Sequence, residues 1–239
     1  MTTRLYLAFD VNAKSHVLPA EECHYLLRVL RLKEGDAINI YNECAGEWEA
    51  RLCTVTKMGC TVELTTQLRE PCAEPLTRLV YAPLKHDAMA FLFEKATELG
   101  VTHLQPMTSD FSQKYALHED KILRQLKQAS QQCERLSVPV LLPVVRFDEV
   151  MREDTGAFGS VHIALERAEA PSFSAALSLL ASTTPCTFVI GPEGGFSGRE
   201  VDLAKSVPSV HVVSLGRTIL RAETAAIVGM GAISMWRAI

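Results

Sequence analysis

The chain is missing the marks of several protein classes. Its seven cysteines include no Cys-x-x-Cys pair, and no histidines stand at zinc-like intervals from them. An odd thiol count argues against a disulfide framework. The cysteines are expected to be small buried hydrophobes in a reducing compartment. No apolar run is long enough to cross a bilayer; the longest, Thr224 to Trp236, contains two glycines. No basic leader followed by an apolar stretch opens the chain, so a soluble cytoplasmic protein with no membrane or metal partner is expected. Low-complexity tracts are absent and only 22% of residues are charged, which excludes a disordered chain.

Positive charge is not in excess either. The 24 Lys and Arg face 28 Asp and Glu, for a formal net charge of -4. Residues 1–71 hold 8 basic and 10 acidic residues, and 72–239 hold 16 and 18. A basic nucleic-acid tail is excluded, but a local basic groove is not. Two nucleotide signatures are missing as well. No Walker A sequence occurs, and no Gly-x-Gly-x-x-Gly follows a strand-like run.

What is present suits two domains: 239 residues, 48% of them hydrophobic. Strand-like runs occupy Arg4–Phe9, Ala37–Tyr41, Glu47–Thr56 and Thr61–Leu68, with one helix predicted over Glu21–Leu32. This pattern reads as a small β-barrel. Pro71-Cys72-Ala73-Glu74-Pro75 then breaks the chain, giving domains 1–71 and 76–239. Strand and helix alternate beyond it, as in an α/β fold. Helices are predicted at Ala88–Leu99, Glu119–Leu136 and Ala222–Arg237. Strands are predicted at Arg78–Ala82, Val101–Met107, Val161–Leu165, Thr187–Ile190 and Val210–Leu215. The last three are near-continuous apolar runs, typical of strands buried on both faces. The final helix is apolar most of the way round, so the sheet or a second subunit must cover it.

Two glycine-bearing turns stand out. Gly191-Pro192-Glu193-Gly194-Gly195-Phe196-Ser197 follows one apolar run, and its Ser197 and Glu200 form a capping box for the next helix. Leu215-Gly216-Arg217-Thr218-Ile219-Leu220-Arg221-Ala222-Glu223-Thr224-Ala225 follows another. Glycines there let backbone approach a ligand closely. One such turn alone would be an ordinary strand-to-helix connection. Two side by side would wall a pocket with backbone, with Arg221 and Glu223 at its rim.

Together these turns resemble the SPOUT class of methyltransferases, and more narrowly the RsmE family of 16S ribosomal RNA uridine-N3 methyltransferases. His24-Tyr25-Leu26 with Val29-Leu30-Arg31, Lys95 through Val101, and Gln132 through Pro139 extend the resemblance over nearly the whole chain. It implies a PUA-like RNA-binding β-barrel followed by a SPOUT-type α/β domain with a deep trefoil knot. It also implies a homodimer with the pocket near the subunit interface. The implied cofactor is S-adenosylmethionine, held by Leu165, Ile190, Gly191, Pro192, Glu193, Gly195, Leu215, Gly216, Ile219, Leu220 and Thr224. The implied substrate is small-subunit ribosomal RNA, naked or in the assembled subunit. Three departures from the family pattern concern RNA contact more than the cofactor. Ala222 stands where many members have Thr, Ser109–Gln113 replaces an Arg-containing Ser-rich segment, and His86-Asp87-Ala88 replaces an Arg-x-Glu.

Methylating uridine N3 requires removal of an imide proton. Arg221 stays protonated, so it is expected to orient the base and stabilise charge on its carbonyl oxygens. Glu223 is the candidate base, or else a structural partner of Arg217 or Arg221. RNA contact is expected at Arg28, Arg31 and Lys33 on the barrel, with Lys85 and Arg135 on the second domain. Two other readings stay open: an RNA-binding or ribosome-assembly protein without methyl transfer, and a dinucleotide enzyme.

Overall fold

A computed structural model describes residues 2–56, 59–113, 116, 118–153, 156–166 and 168–238. Two compact units divide it: Met1–Ala73 with Ser130–Ser137, and Glu74–Ala129 with Val138–Ile239.

The first unit is built on strands β1 (Arg4–Tyr6), β2 (His16–Val17), β3 (Ala37–Asn42), β4 (Gly46–Val55) and β5 (Cys60–Arg69). They form one sheet in the order β1-β3-β4-β5-β2. Only β1 and β3 pair in parallel. Alternation along β3 and β4 sends Ile38, Ile40, Ala50 and Leu52 inward, where they meet Leu5, Leu26 and Val62. The helix predicted over Glu21–Leu32 is shorter and irregular. Helix α1 (Ala20–His24) runs into one π-helical turn (Tyr25–Val29), with the Leu30 amide donating to the Tyr25 carbonyl. Arg31 then turns left-handed at φ 58° and ends it.

Glu47 is the polar centre of this unit. It is 4% exposed and accepts from Arg4 Nε at 2.7 Å, Asn39 at 2.9 Å and Arg69 at 3.3 Å. Burial pushes its carboxyl up, but the bonds from Arg4 and Asn39 and the two arginine charges outweigh that and hold it below the usual range. The same arginines cap a helix end. Arg4 donates to the carbonyls of Gln131 and Glu134, and Arg69 to that of Glu134. Glu134 sits at φ 61°, so the predicted Glu119–Leu136 helix stops at Gln132.

The second unit has a seven-stranded sheet. Its strands are β6 (Thr77–Tyr81), β7 (His103–Thr108), β8 (Val140–Leu141), β9 (Val145–Arg146), β10 (Ser160–Ala164), β11 (Cys186–Ile190) and β12 (Val210–Val213). The order is β12-β10-β11-β6-β7-β8, with β9 also on β7, and all pairings are parallel. This order is compatible with the expected knot. Helices α2 (His86–Glu98), α3 (Glu119–Gln132), α4 (Phe147–Arg152), α5 (Phe173–Leu177), α6 (Gly198–Ser206) and α7 (Ala222–Arg237) cover it. The short elements β2, β8, β9, α4 and α5 were not legible in the sequence, because none of them carries a distinct apolar or alternating run.

Every residue of β6 and β11 is buried, as their apolar runs required. Two contacts seat α7. Gly229 leaves no room for a side chain, since a Cβ there would stand 1.9 Å from the Phe188 ring on β11. Arg237 donates to the carbonyls of Pro75, Leu76 and Thr184 and to Thr77 Oγ1, tying the helix end to the start of β6. The cysteines depart from expectation. All seven are free, but only Cys23, Cys60 and Cys186 are buried, while Cys44 and Cys72 are exposed. The last two sit at a hairpin tip and in the connection after β5, where there is no core to bury them. Among the described residues, no helix is long and apolar enough to cross a membrane.

Gly229→Ala is expected to cost about 2 kcal/mol, by forcing the buried Phe188 ring or the helix to move. Urea unfolding measures this, and an unchanged midpoint would contradict the close contact. His162, on β10, sets an acid limit to stability. Burial, followed by the charge of His211, lowers its pKa from 6.5 to about 4. The folded state thus binds fewer protons than the unfolded state below pH 6.5. Its stabilising contribution is complete above that value and is lost as pH falls towards 4. Replacing His162 with Gln should flatten the stability profile over that window.

Candidate active site

The register of the parallel sheet decides where the loops emerge. Ala164 pairs with Val213, Ile163 with Val189, Ile190 with Tyr81, and Tyr81 with Pro106. The carboxyl ends of β12, β10, β11 and β6 therefore lie level along one edge. Leu165, Gly191 and Leu215 follow those ends directly or within two residues. Both glycine turns and the end of β10 thus open on one side of the sheet, where open α/β sheets bind ligands.

The first turn is tightly folded. The Gly195 amide donates to the Pro192 carbonyl at 2.9 Å, and Gly195 holds φ 70°. Phe196 folds back over Gly191, so close that a Cβ on Gly191 would lie 2.9 Å from its ring. Ile190 and Pro192 are buried beneath, with Glu193 exposed. Ser197 and Glu200 form the capping box expected at the start of α6. In the second turn Gly216 takes φ 126°, a conformation closed to other residues. Leu215 and Leu220 are half-buried, Thr224 is exposed, and Ile219 is 57% exposed. Leu165 is 9% exposed. Apolar side chains beside closely turned backbone suit the flat, uncharged body of a nucleoside better than a phosphate.

Arg221 occupies the N-cap of α7 and is exposed, and Glu223 lies half-buried in its first turn. Among the described residues, no ion pair joins Glu223 to Arg217 or Arg221. The alternative in which Glu223 serves as a structural partner of either arginine therefore has no contact behind it. An arginine at the amino end of a sixteen-residue helix adds its charge to the positive end of the helix dipole. Such a place favours an anion or developing negative charge.

Sequence reading missed the support of the first turn. Glu200 is fully buried and accepts from the Ser197 amide at 2.9 Å and from the Asp110 amide at 2.8 Å. Arg199 bonds both Asp110, at 3.0 Å, and Asp148, at 2.9 Å. The segment after β7 is thereby fastened to the glycine turn. The capping pattern was a signal for Glu200, but a partner ninety positions away leaves no local mark. This cluster lines a surface hollow of about 360 Å³ together with Thr108, Arg146 and Phe147. A second hollow, of about 530 Å³, lies among Leu84, His86, Met89, Phe93, Lys121 and Ile122. The glycine turns line neither hollow.

Of the RNA candidates, Arg28, Arg31 and Lys33 are exposed on the first unit and Lys85 is exposed at the N-cap of α2. Arg135 differs from expectation. It belongs to the stretch Ser130–Ser137 that packs with the first unit, is half-buried, and donates to Ser137 Oγ at 3.0 Å. The early stop of α3 is the cause. Among the described residues, no group of three His, Cys, Asp or Glu side chains is placed to hold a metal ion.

Known proteins match this architecture. A family profile described as an RNA methyltransferase domain matches residues 73–234, and one described as an RNA methyltransferase PUA domain matches residues 18–65. The ribosomal RNA small subunit methyltransferase E of Rickettsia conorii is 29% identical over 226 residues, covering 94% of this chain and 91% of that protein. The protein of the same name from Bacillus subtilis is 29% identical over 237 residues, covering 93% and 91%. Among solved structures, the ribosomal RNA small subunit methyltransferase E of Neisseria gonorrhoeae, bound to S-adenosylmethionine, superposes with a TM-score of 0.82 at 26% identity, with 98% of each chain covered. A Legionella pneumophila protein described as a methyltransferase, solved with the same cofactor, gives a TM-score of 0.84 at 26% identity, again with 98% of each chain covered.

Proposed function

This chain belongs to the RNA methyltransferase family, and from that membership we propose that it methylates N3 of a uridine in small-subunit ribosomal RNA, using S-adenosylmethionine. One observation supports the reading: the two glycine turns follow the level carboxyl ends of β11 and β12, and the second leads to Arg221 at the N-cap of α7. The near full-length relatives named for small-subunit ribosomal RNA methylation support the substrate, and the cofactor-bound neighbours support the cofactor. Its setting would be the cytoplasm, with residues 1–71 contacting RNA and 76–239 carrying out methyl transfer.

The cofactor would rest on backbone of Gly191–Gly195 and Leu215–Gly216, between Leu165, Ile190, Pro192, Ile219 and Leu220, with Glu193 and Thr224 supplying polar contacts. When bound, it supplies an electrophilic methyl group. The chain's own residues prepare the acceptor. Glu223 takes the N3 proton, which frees the nitrogen lone pair. Arg221 donates to the uracil carbonyl oxygens, where the uridinate charge is spread, and the amino end of α7 adds to that field. Because N3 lies on the Watson–Crick edge, the uridine must be unpaired or flipped out. Arg28, Arg31, Lys33 and Lys85 are exposed cations available to phosphates. Arg135 has a smaller part, being half-buried.

A homodimer completes the reading. Val228 and Met235 are 41% and 74% exposed on α7, seven residues apart on one face, with Gly231 between them. Phe91, on the helix packed beside it, is 47% exposed. An apolar stripe of this kind is an interface in search of a partner, and a second copy supplies the same stripe.

The decisive experiment is radiolabelled methyl transfer to small subunits from a strain lacking this gene, with the product nucleoside identified. Label in 3-methyluridine is expected. Cofactor binding without label on subunits would overturn the substrate, and absence of cofactor binding would favour an RNA-binding or assembly role. Arg221→Ala should lower kcat by about 10²- to 10³-fold with cofactor affinity retained. Glu223→Gln should lower kcat by about 10²-fold or more, recovering as pH rises and uridine ionises unaided. A pH-independent loss would remove Glu223 from proton transfer. Met235→Glu should yield a monomer by analytical ultracentrifugation, and an unchanged mass would exclude this face as the interface.

A further inference from the structure

Phe111 stands at the corner of a turn that no contact among the described residues requires to be aromatic. The Ser109 amide donates to Ser112 Oγ at 2.8 Å, and the Ser112 amide donates to the Ser109 carbonyl at 3.1 Å, which closes the turn. Asp110 fixes it from below through its amide bond to buried Glu200 and its carboxylate bonds to Ser197 and Arg199. None of these contacts uses the side chain of residue 111. The Phe111 side chain enters none of the three hydrophobic clusters of the chain, and 53% of the residue is exposed.

One close neighbour among the described residues is informative. Phe111 Cβ, Cγ and Cδ2 lie 3.3, 3.9 and 4.0 Å from the place where a Cβ on Gly194 would stand. Gly194 is itself exposed and belongs to the first glycine turn. The ring is therefore held against the turn assigned to the cofactor, with much of its surface open to solvent. The turn beneath it is fixed by a buried carboxylate and a doubly paired arginine, so the backbone that carries the ring is set before any ligand arrives. A half-exposed aromatic on an anchored backbone turn beside a nucleoside site offers a π-face.

We propose that Phe111 is a stacking face for a nucleobase held beside the Gly191–Ser197 turn. This rests on the methyltransferase reading above. The chemistry is shared by two sources, a base of the RNA substrate and the adenine of the cofactor. Separate affinity measurements distinguish them.

The test uses the full chain with Phe111→Ala, Phe111→Leu, Phe111→Tyr and Phe111→Trp. Thermal unfolding should place all four near the wild type, because the side chain is outside the core. Phe111→Ala should raise the KM for unmethylated small subunits, or the dissociation constant for S-adenosylhomocysteine, by about tenfold. A rise confined to KM for subunits identifies an RNA base, and a rise confined to the dissociation constant identifies adenine. Tyr and Trp should restore the wild-type value and Leu should not, since stacking needs the ring. The Phe111→Trp protein should also lose tryptophan emission on adding a short single-stranded oligoribonucleotide or S-adenosylhomocysteine. Wild-type affinities in Phe111→Ala would overturn the proposal, and so would full rescue by Leu, which would mean plain apolar packing. If the wild-type protein transfers no methyl group, the proposed function fails on its own. The emission measurement then still decides whether a base stacks on residue 111.

Discussion

Everything at the candidate site depends on seven strands of one sheet running the same way. A parallel ladder forces each connection back across a face of the sheet, so all the strand-to-loop transitions gather at one edge. The register turns that tendency into a site, because Ala164, Val213, Ile190 and Tyr81 finish level. A slip of one residue in β12 would move Gly216 off that line and turn the alternate faces of Val210–Val213 outward. Such a slip would take buried Val210 and Val213 out of their packed positions and bring exposed His211 into one, which makes it costly. The apolar strands thus specify the position of the polar loops.

The second requirement is close approach, and glycine meets it in two different ways. Gly195 and Gly216 supply left-handed or otherwise closed backbone angles, so their value is conformational. Gly229 and Gly191 supply missing volume, letting Phe188 and Phe196 come nearer than any Cβ would allow. The difference matters for α7. Its amino end carries Arg221 and Glu223, and its carboxyl end is held by Arg237 on the strand of Thr77. Gly229 sets the depth of its seat on β11 midway between them. The position of the candidate catalytic pair is therefore fixed by packing well over one turn away.

Much of this was legible in the sequence, for identifiable reasons. Long or strongly patterned elements announced themselves: β3 to β7, β10, β11, α2 and α7 lie where periodicity and apolar runs put them, within a few residues. The Ser197 and Glu200 capping box was readable because its logic is local. Helix ends in non-glycine left-handed residues were not, since Arg31 and Glu134 carry no punctuation. The end of α3 was lost for that reason, and the placement of Arg135 with it. Short elements without an apolar or alternating run of their own, such as β2, β9 and α5, were illegible because their existence depends on what they pair with. The family resemblance was legible because the two loops, and the segments that extend it, carry chemically specific residues. The mounting of those loops, through Glu200 and Arg199 to Asp110, was beyond sequence reading.

Charge closes the argument. A protein that reads RNA usually carries surplus cations, and this one has a formal charge of -4. Many of its arginines are already committed. Arg4 and Arg69 serve Glu47 and a helix end, Arg78 is buried with Glu153 at 2.6 Å, Arg199 holds two aspartates, and Arg237 anchors α7. These guanidiniums are held in place by contacts within the fold. Bulk charge therefore says little about affinity for RNA, which depends on the cations left unpaired and where they stand. Arg221 is such a cation, exposed at a helix amino end where its charge is otherwise unfavourable. Its place at the head of α7, and not the sum of charge over the chain, is what bears on recognition.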